Sequence, residues 1–144
     1  MSLKSTLATL IEARRIVSLP ESWTKGVNCR DKDGEPLALA TSRRACRWCV
    51  VGAVYRAGAK ATPGSVFDDV EAIRLLSKVI APNGNPNESA DLNTVAGFND
   101  AERTTHQDVI GLFDKAIALQ QERIQRHYGL QAAMAHTNAM CLPS

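Results

Sequence analysis

Two cysteines, Cys46 and Cys49, stand at the Cys-x-x-Cys spacing of a metal half-site. A tetrahedral zinc needs four thiolate or imidazole ligands, and Cys29 with Cys141, His106 or His127 could complete the set. No second knuckle accompanies the pair, so the competing reading is that Cys29, Cys46, Cys49 and Cys141 are thiols behaving as small hydrophobes. A thioredoxin-type redox role has less support, because no strand is expected to feed this Cys-x-x-Cys. Around the pair lies a basic stretch. Arg43, Arg44 and Arg47 could share a helix face and contact phosphate, with Trp48 beside them. Against that stands the ordinary solvated face of a soluble protein.

A third cluster, Asn99-Asp100 with Arg103-Thr104-Thr105, places polar groups beside an expected helix start, where free N–H groups attract anions. Asp100 could serve there as a general base. Such residues more commonly tie a loop to a helix start through side-chain to backbone hydrogen bonds, and Thr104 or Thr105 suits the role of cap. His106 and Asp100 could form a nucleophilic triad with Cys49 only if the fold converged them. No HExxH or Ser/His/Asp arrangement involves His106, His127 or His136. Catalytic residues, a resident metal and a cofactor are therefore not expected. Trp23 and Trp48 are expected as core anchors.

Composition narrows the class. A chain of 144 residues can bury a full core without a disulfide scaffold. The low aromatic share of 5% points to a core of Ala, Val, Leu and Ile, as in closely packed helices. A net charge of +2 is far from the footprint of a dedicated nucleic-acid binder. No apolar run approaches the roughly 20 residues of a membrane span, and the amino terminus lacks a secretory pattern, so a cytoplasmic protein is expected.

The elements follow from periodicity and breakers. Leu3, Leu7, Leu10, Ala13 and Val17 predict a first amphipathic helix ending before Pro20. Asp31-Lys32-Asp33-Gly34 signals a turn, and its flanks, Lys25 to Arg30 and Glu35 to Ala40, could pair as a hairpin. Thr41 or Ser42 would cap a second helix to Ala57, carrying the Cys-x-x-Cys, with Gly52 and Ala53 allowing close approach of another backbone. Ser65 and Asp68 suggest a capping box for a third helix ending at Pro82. A surface loop follows at Asn83 to Asn87. Ser89 would cap a short helix broken near Gly97, and the longest helix would run from Thr104 or Thr105 to Tyr128-Gly129. The tail, 130–144, reads as a last short helix or a frayed end. The fold class is mainly α: a single helical domain over 1–144, a compact bundle of about four to five helices with a short β-hairpin insertion near residues 24–40.

Taken in order, several short motifs resemble those of a family of small bacterial and phage proteins whose function is unknown. They are Trp23 with Lys25-Gly26, Arg30-Asp31 with Asp33-Gly34, Trp48-Cys49 followed by Gly52-Ala53, and Phe98-Asn99-Asp100 followed by Arg103-Thr104 and a helix carrying Val109, Phe113 and Ala116. The resemblance covers roughly residues 3 to 120. It implies a compact helical domain with a small extended insertion, found in bacterial and mobile-element settings. Cys29, Cys46 and Cys141 fall outside the pattern, and Phe98 stands where Trp is more typical.

The function these observations favour is binding of another macromolecule, a protein partner, without catalysis. The family setting suggests a specific version, an accessory protein of a phage or mobile element that inhibits a bacterial host or defence protein. Two alternatives remain. One is a module holding a small anion or nucleotide between the Arg43 to Arg47 face and the Asn99 to Thr105 loop. The other is a nucleic-acid-binding domain using the Arg43–Arg47 face. No membrane is expected as a partner, and a homo-oligomer is compatible with the sequence.

Overall fold

The computed structural model describes residues 2–61, 67–84 and 87–140, the side chains of 61, 67 and 137–140 excepted. Within them lie five α-helices and one small extended region: α1 (Leu3–Ile16), β1 (Cys29–Arg30), β2 (Arg47–Trp48), α2 (Val50–Ala61), α3 (Phe67–Ile80), α4 (Glu88–Asp100) and α5 (His106–Met140), with a 3-10 turn at Pro20–Ser22. The fold is mainly α. None of the described helices is long and apolar enough to cross a membrane.

α1 follows its stripe. Ser2 and Ser5 form a reciprocal capping box, and Leu10 and Ala13 are fully buried. The helix packs on α2, α3 and α5. An ion pair between Arg14 and Asp114, N···O 2.6 Å, fastens it to α5, and Gln120 Nε2 donates to Leu3 O at 2.9 Å. The core joins Leu10 and Val17 to Val50, Val54, Leu76, Val95 and Phe113. Apart from Phe113 these are the aliphatic residues that the composition favours.

The sequence reading is corrected at the second helix. α2 begins at Val50, not at Thr41 or Ser42, and Arg47–Trp48 is a strand antiparallel to Cys29–Arg30, so the Cys-x-x-Cys is not helical. Two local features win over the helical period. Ser42 Oγ accepts from the Arg44 N–H in a tight turn, a hydrogen bond that competes with helix nucleation. Trp48 is buried as a strand residue, its Nε1 donating to Ala40 O at 2.9 Å with the Arg56 guanidinium 4.9 Å from its ring. Arg43 and Arg47 are therefore not neighbours on a helix face.

The expected hairpin forms in part. The Asp31 to Gly34 turn forms, with Gly34 at φ +84°, yet Lys25–Arg30 and Glu35–Ala40 meet only through one bridge, Arg30 to Pro36, and a few backbone bonds. The true strand partner of Cys29–Arg30 comes from farther along the chain. A parallel bridge from Trp23 to Trp48 extends the small sheet toward α4.

Two helices outrun their expected stops. α4 is capped by Asn87 rather than Ser89 and continues through Gly97, held by burial of Val95 and Asn99. α5 continues through Gly129 to Met140, so the carboxyl-terminal stretch to 140 extends the preceding helix. Its start is as expected: Thr105 Oγ1 accepts from the Asp108 N–H, and Asp108 accepts from the Thr105 N–H. The expected cap at Ser65 lies outside the described residues.

Candidate functional site

Asn99 is the hub of the sequence-derived cluster. It is fully buried near the end of α4, and each of its amide groups is used. Oδ1 accepts from Trp23 Nε1 at 2.8 Å and from the Val50 N–H at 3.1 Å. Nδ2 donates to Thr24 O at 3.1 Å and to Asp100 Oδ1 at 2.9 Å. An Asn side chain has two donors and two acceptor lone pairs, so this one is saturated. Through it the Trp23–Thr24 segment, the first turn of α2 and the end of α4 are joined.

The neighbours reinforce the junction. Asp100 Oδ1 also accepts from the Gly26 N–H at 2.8 Å, where φ +87° favours glycine. Lys25 Nζ donates to Ala101 O at 2.6 Å. His106 Nε2 lies 2.7 Å from Val17 O, and its ring centre is 6.0 Å from that of Trp23. Cys49 caps α2, its Sγ accepting from the Gly52 N–H at 3.3 Å and donating to Asn28 Oδ1 at 3.7 Å. Burial pushes its thiol above the ordinary value, which keeps it protonated and poorly nucleophilic. Cys49 and Asp100 border one hollow of about 260 Å³, which His106 does not line.

The arginines lie in a different neighbourhood. Arg44 pairs with buried Asp31 at 2.9 Å, and Arg43 and Arg44 border a hollow with Asp31, Lys32 and Asp33. Asp31 is held below the usual carboxylate range, first by the Glu35 N–H, despite burial, with help from the Asp33 N–H and Arg44. The arginine positions are thus interleaved with acids. Arg47 and Arg103 are exposed. Cys29 is buried, its Sγ 3.3 Å from Leu39 O, and Cys46 is exposed. Among the described residues no three His, Cys, Asp or Glu side chains are grouped to hold a metal. Cys141 lies outside the described residues.

With this geometry in hand, comparison with known proteins assigns a family. A model of a family of unknown function, DUF6197, matches residues 1–119. The chain belongs to that family. No curated protein and no solved structure matches it. The DUF6197 match ends one residue before Gln120, the last buried residue of α5 among its described side chains, so the matched region and the packed body nearly coincide.

Inside the DUF6197 body the sequence reading missed a cleft between α2, α3 and α4 of about 460 Å³. Its walls are Val70, Ile73, Leu92 and the ring of Tyr55. Three carboxylates, Asp69, Glu88 and Asp91, border it. Asp69 is 9% exposed, and its buried Oδ1 has no hydrogen-bond partner among the described residues. Gly58 leaves room for it: a Cβ there would come within 1.6 Å of that oxygen. Burial, with the charge of adjacent Asp68, raises the Asp69 carboxyl to about 6. Burial and the charges of Asp69 and Glu88 likewise push the Tyr55 phenol up. One sequence signal could have found the site. Asp69 stands three and four residues before Ala72 and Ile73, on the buried stripe of α3, where an acid is costly unless paired.

Proposed function

We propose that this DUF6197 protein works by binding a protein partner, using the exposed second half of α5. What supports this reading is a single observation. From Gln121 to His136 every residue except Ile124 is exposed, although the helix continues without a break. The stretch is about 24 Å long at 1.5 Å per residue. Leu119, Leu130 and Met134 are 38%, 61% and 57% exposed, and their spacing of 11 and 4 residues puts them on one face with Arg123 and Arg126. Such a face suits a partner groove with an apolar floor and acidic rim. Asn99, Asp100 and Cys49, the residues that could have served catalysis, are engaged in joining the fold.

The specific version, inhibition of a bacterial host or defence protein by a phage or mobile-element protein, draws support from the family resemblance. The test compares the chain with a Leu130→Asp/Met134→Asp variant as bait in bacterial lysate, with light scattering of both. Retention of the same protein by the parent and its loss in the folded double variant is expected. Identical retention by both refutes the reading, and a mass of two copies that falls to one in the variant assigns the face to self-association instead.

A further inference from the structure

The cleft between α2, α3 and α4 combines features that a merely structural hollow does not need. Val70, Ile73, Leu92 and Tyr55 line the cleft beside the Asp69 carboxyl, whose Oδ1 is turned toward Gly58 and which, among the described residues, has no counter-charge. Near this side of α3, Arg74 pairs with Glu71 at 3.1 Å, and Arg74 and Lys78 border a neighbouring hollow that shares only Asp91. Neither a cation nor a hydrogen-bond donor lowers the Asp69 carboxyl. Folded proteins rarely leave a charge buried and unpaired, because the desolvation penalty is not repaid within the protein. A ligand can repay it.

We propose that this cleft binds an alkylammonium group, a protonated amine carried on methylenes, with Asp69 as its buried counter-charge. The methylenes lie against Val70, Ile73 and Leu92. Glu88, exposed at the mouth, and Asp91 favour the approach of a cation and suit a second ammonium at the far end of the chain. Tyr55 covers the methylenes with its ring, a surface that also attracts cations. The neutral alcohol of the same length gains the apolar contact without the charge, and an inorganic cation gains the charge without the apolar contact. The required chemistry is therefore amphipathic. It could come from a free aliphatic diamine or from a lysine side chain on a partner, and the cleft lies within the family-matched residues rather than on the α5 extension.

The test is a titration of the full chain, followed by amide NMR shifts and calorimetry, with four probes: 1,5-diaminopentane, Nα-acetyl-lysine amide, 1-pentanol and sodium chloride. Saturable shifts centred on Tyr55, Asp69, Ile73 and Leu92 are expected with one or both amines. Asp69→Asn should weaken amine binding at least about tenfold. That variant removes an unpaired buried charge and is expected to fold well; Leu92→Trp, which fills the cleft and leaves every carboxylate in place, provides the second check and should also abolish the shifts. Tighter binding of the diamine identifies a free amine as the source, and tighter binding of the lysine amide identifies a partner's side chain. Absence of saturable binding of either amine up to about 10 mM overturns the proposal. So does equal binding by 1-pentanol, or unchanged amine affinity in Asp69→Asn.

Discussion

Replacing Asn99 with Ala tests whether the saturated amide is what joins the three segments. The substitution leaves the Val50 N–H, the Trp23 Nε1–H and Thr24 O without their partner, while Gly26 keeps its bond to Asp100. An unsatisfied buried polar group costs about 1–3 kcal/mol, and half-buried Trp23 can recover part of its share from water. The Val50 N–H at a fully buried helix start and the Thr24 carbonyl then dominate, giving a loss of about 3–5 kcal/mol. Against a total stability of about 5–15 kcal/mol, that is enough to move the unfolding midpoint far toward zero denaturant. Urea titration followed by tryptophan fluorescence reads the effect, since Trp23 is itself a partner, and an unchanged m-value certifies that the denatured state is the same. Asn99→Asp makes a sharper companion. It keeps the two acceptor contacts, loses both donations and sets a second charge against Asp100, so its deficit should shrink as the pH falls and the new carboxyl gains a proton. A loss below about 1 kcal/mol in Asn99→Ala would refute the structural assignment and return the side chain to the pool of ligand-binding groups.

Two further measurements probe other links. Gly52→Ala would place a Cβ 2.0 Å from the Asn28 carbonyl oxygen, a backbone atom, and should cost about 1–3 kcal/mol despite the better helix propensity of Ala; Gly97→Ala, with nothing within 4 Å of its Cβ, should instead gain about 0.5–1 kcal/mol, and thermal unfolding of the pair separates close packing from propensity. Asp69 binds its proton more tightly folded, at about 6, than unfolded near 3.8, so its contribution to stability is complete below the unfolded value and falls as the pH rises toward 6, by at most about 3 kcal/mol. Denaturation of the parent and of Asp69→Asn across that window isolates this slope as the difference between the two curves, since Glu12, held down at about 2 in the folded chain, and Asp68, Glu88 and Tyr55 are common to both; parallel curves would contradict the buried charge.

Much of the architecture was legible because one pattern dominated locally. The stripe of α1 and the Thr105 cap of α5 each have local propensity and burial pointing the same way. Arg43 to Cys49 was misread because the apolar spacing of Ala45, Trp48, Cys49, Gly52 and Ala53 fits a helix, while the deciding contact, pairing of Trp48 with Cys29, joins residues far apart in the chain. Gly97 and Gly129 do not stop their helices, since packing or simple continuation of the ladder outweighs the modest penalty of one glycine. For Asn99 the residue type was informative but its partners were not, as Trp23 and Val50 approach only in the folded chain. The cleft was the hardest to see, because Asp69, Glu88 and Asp91 belong to two helices and converge only when α3 packs on α4.

The unbroken passage of α5 from body to solvent also sets an angular phase. Within a single helix every residue beyond Gln120 inherits the orientation fixed by Val109, Phe113 and Ala116 in the core. Inserting one residue between Gln121 and Arg126 would turn the Leu130 and Met134 face by about 100° and advance it about 1.5 Å, moving Tyr128 away from the Lys4 ammonium that now lies 4.9 Å from its ring centre. Inserting seven would bring the face back to within about 20° of its original azimuth, displaced by about 10 Å. The arm therefore behaves as a rigid pointer whose bearing and reach are set separately from the scaffold that holds it.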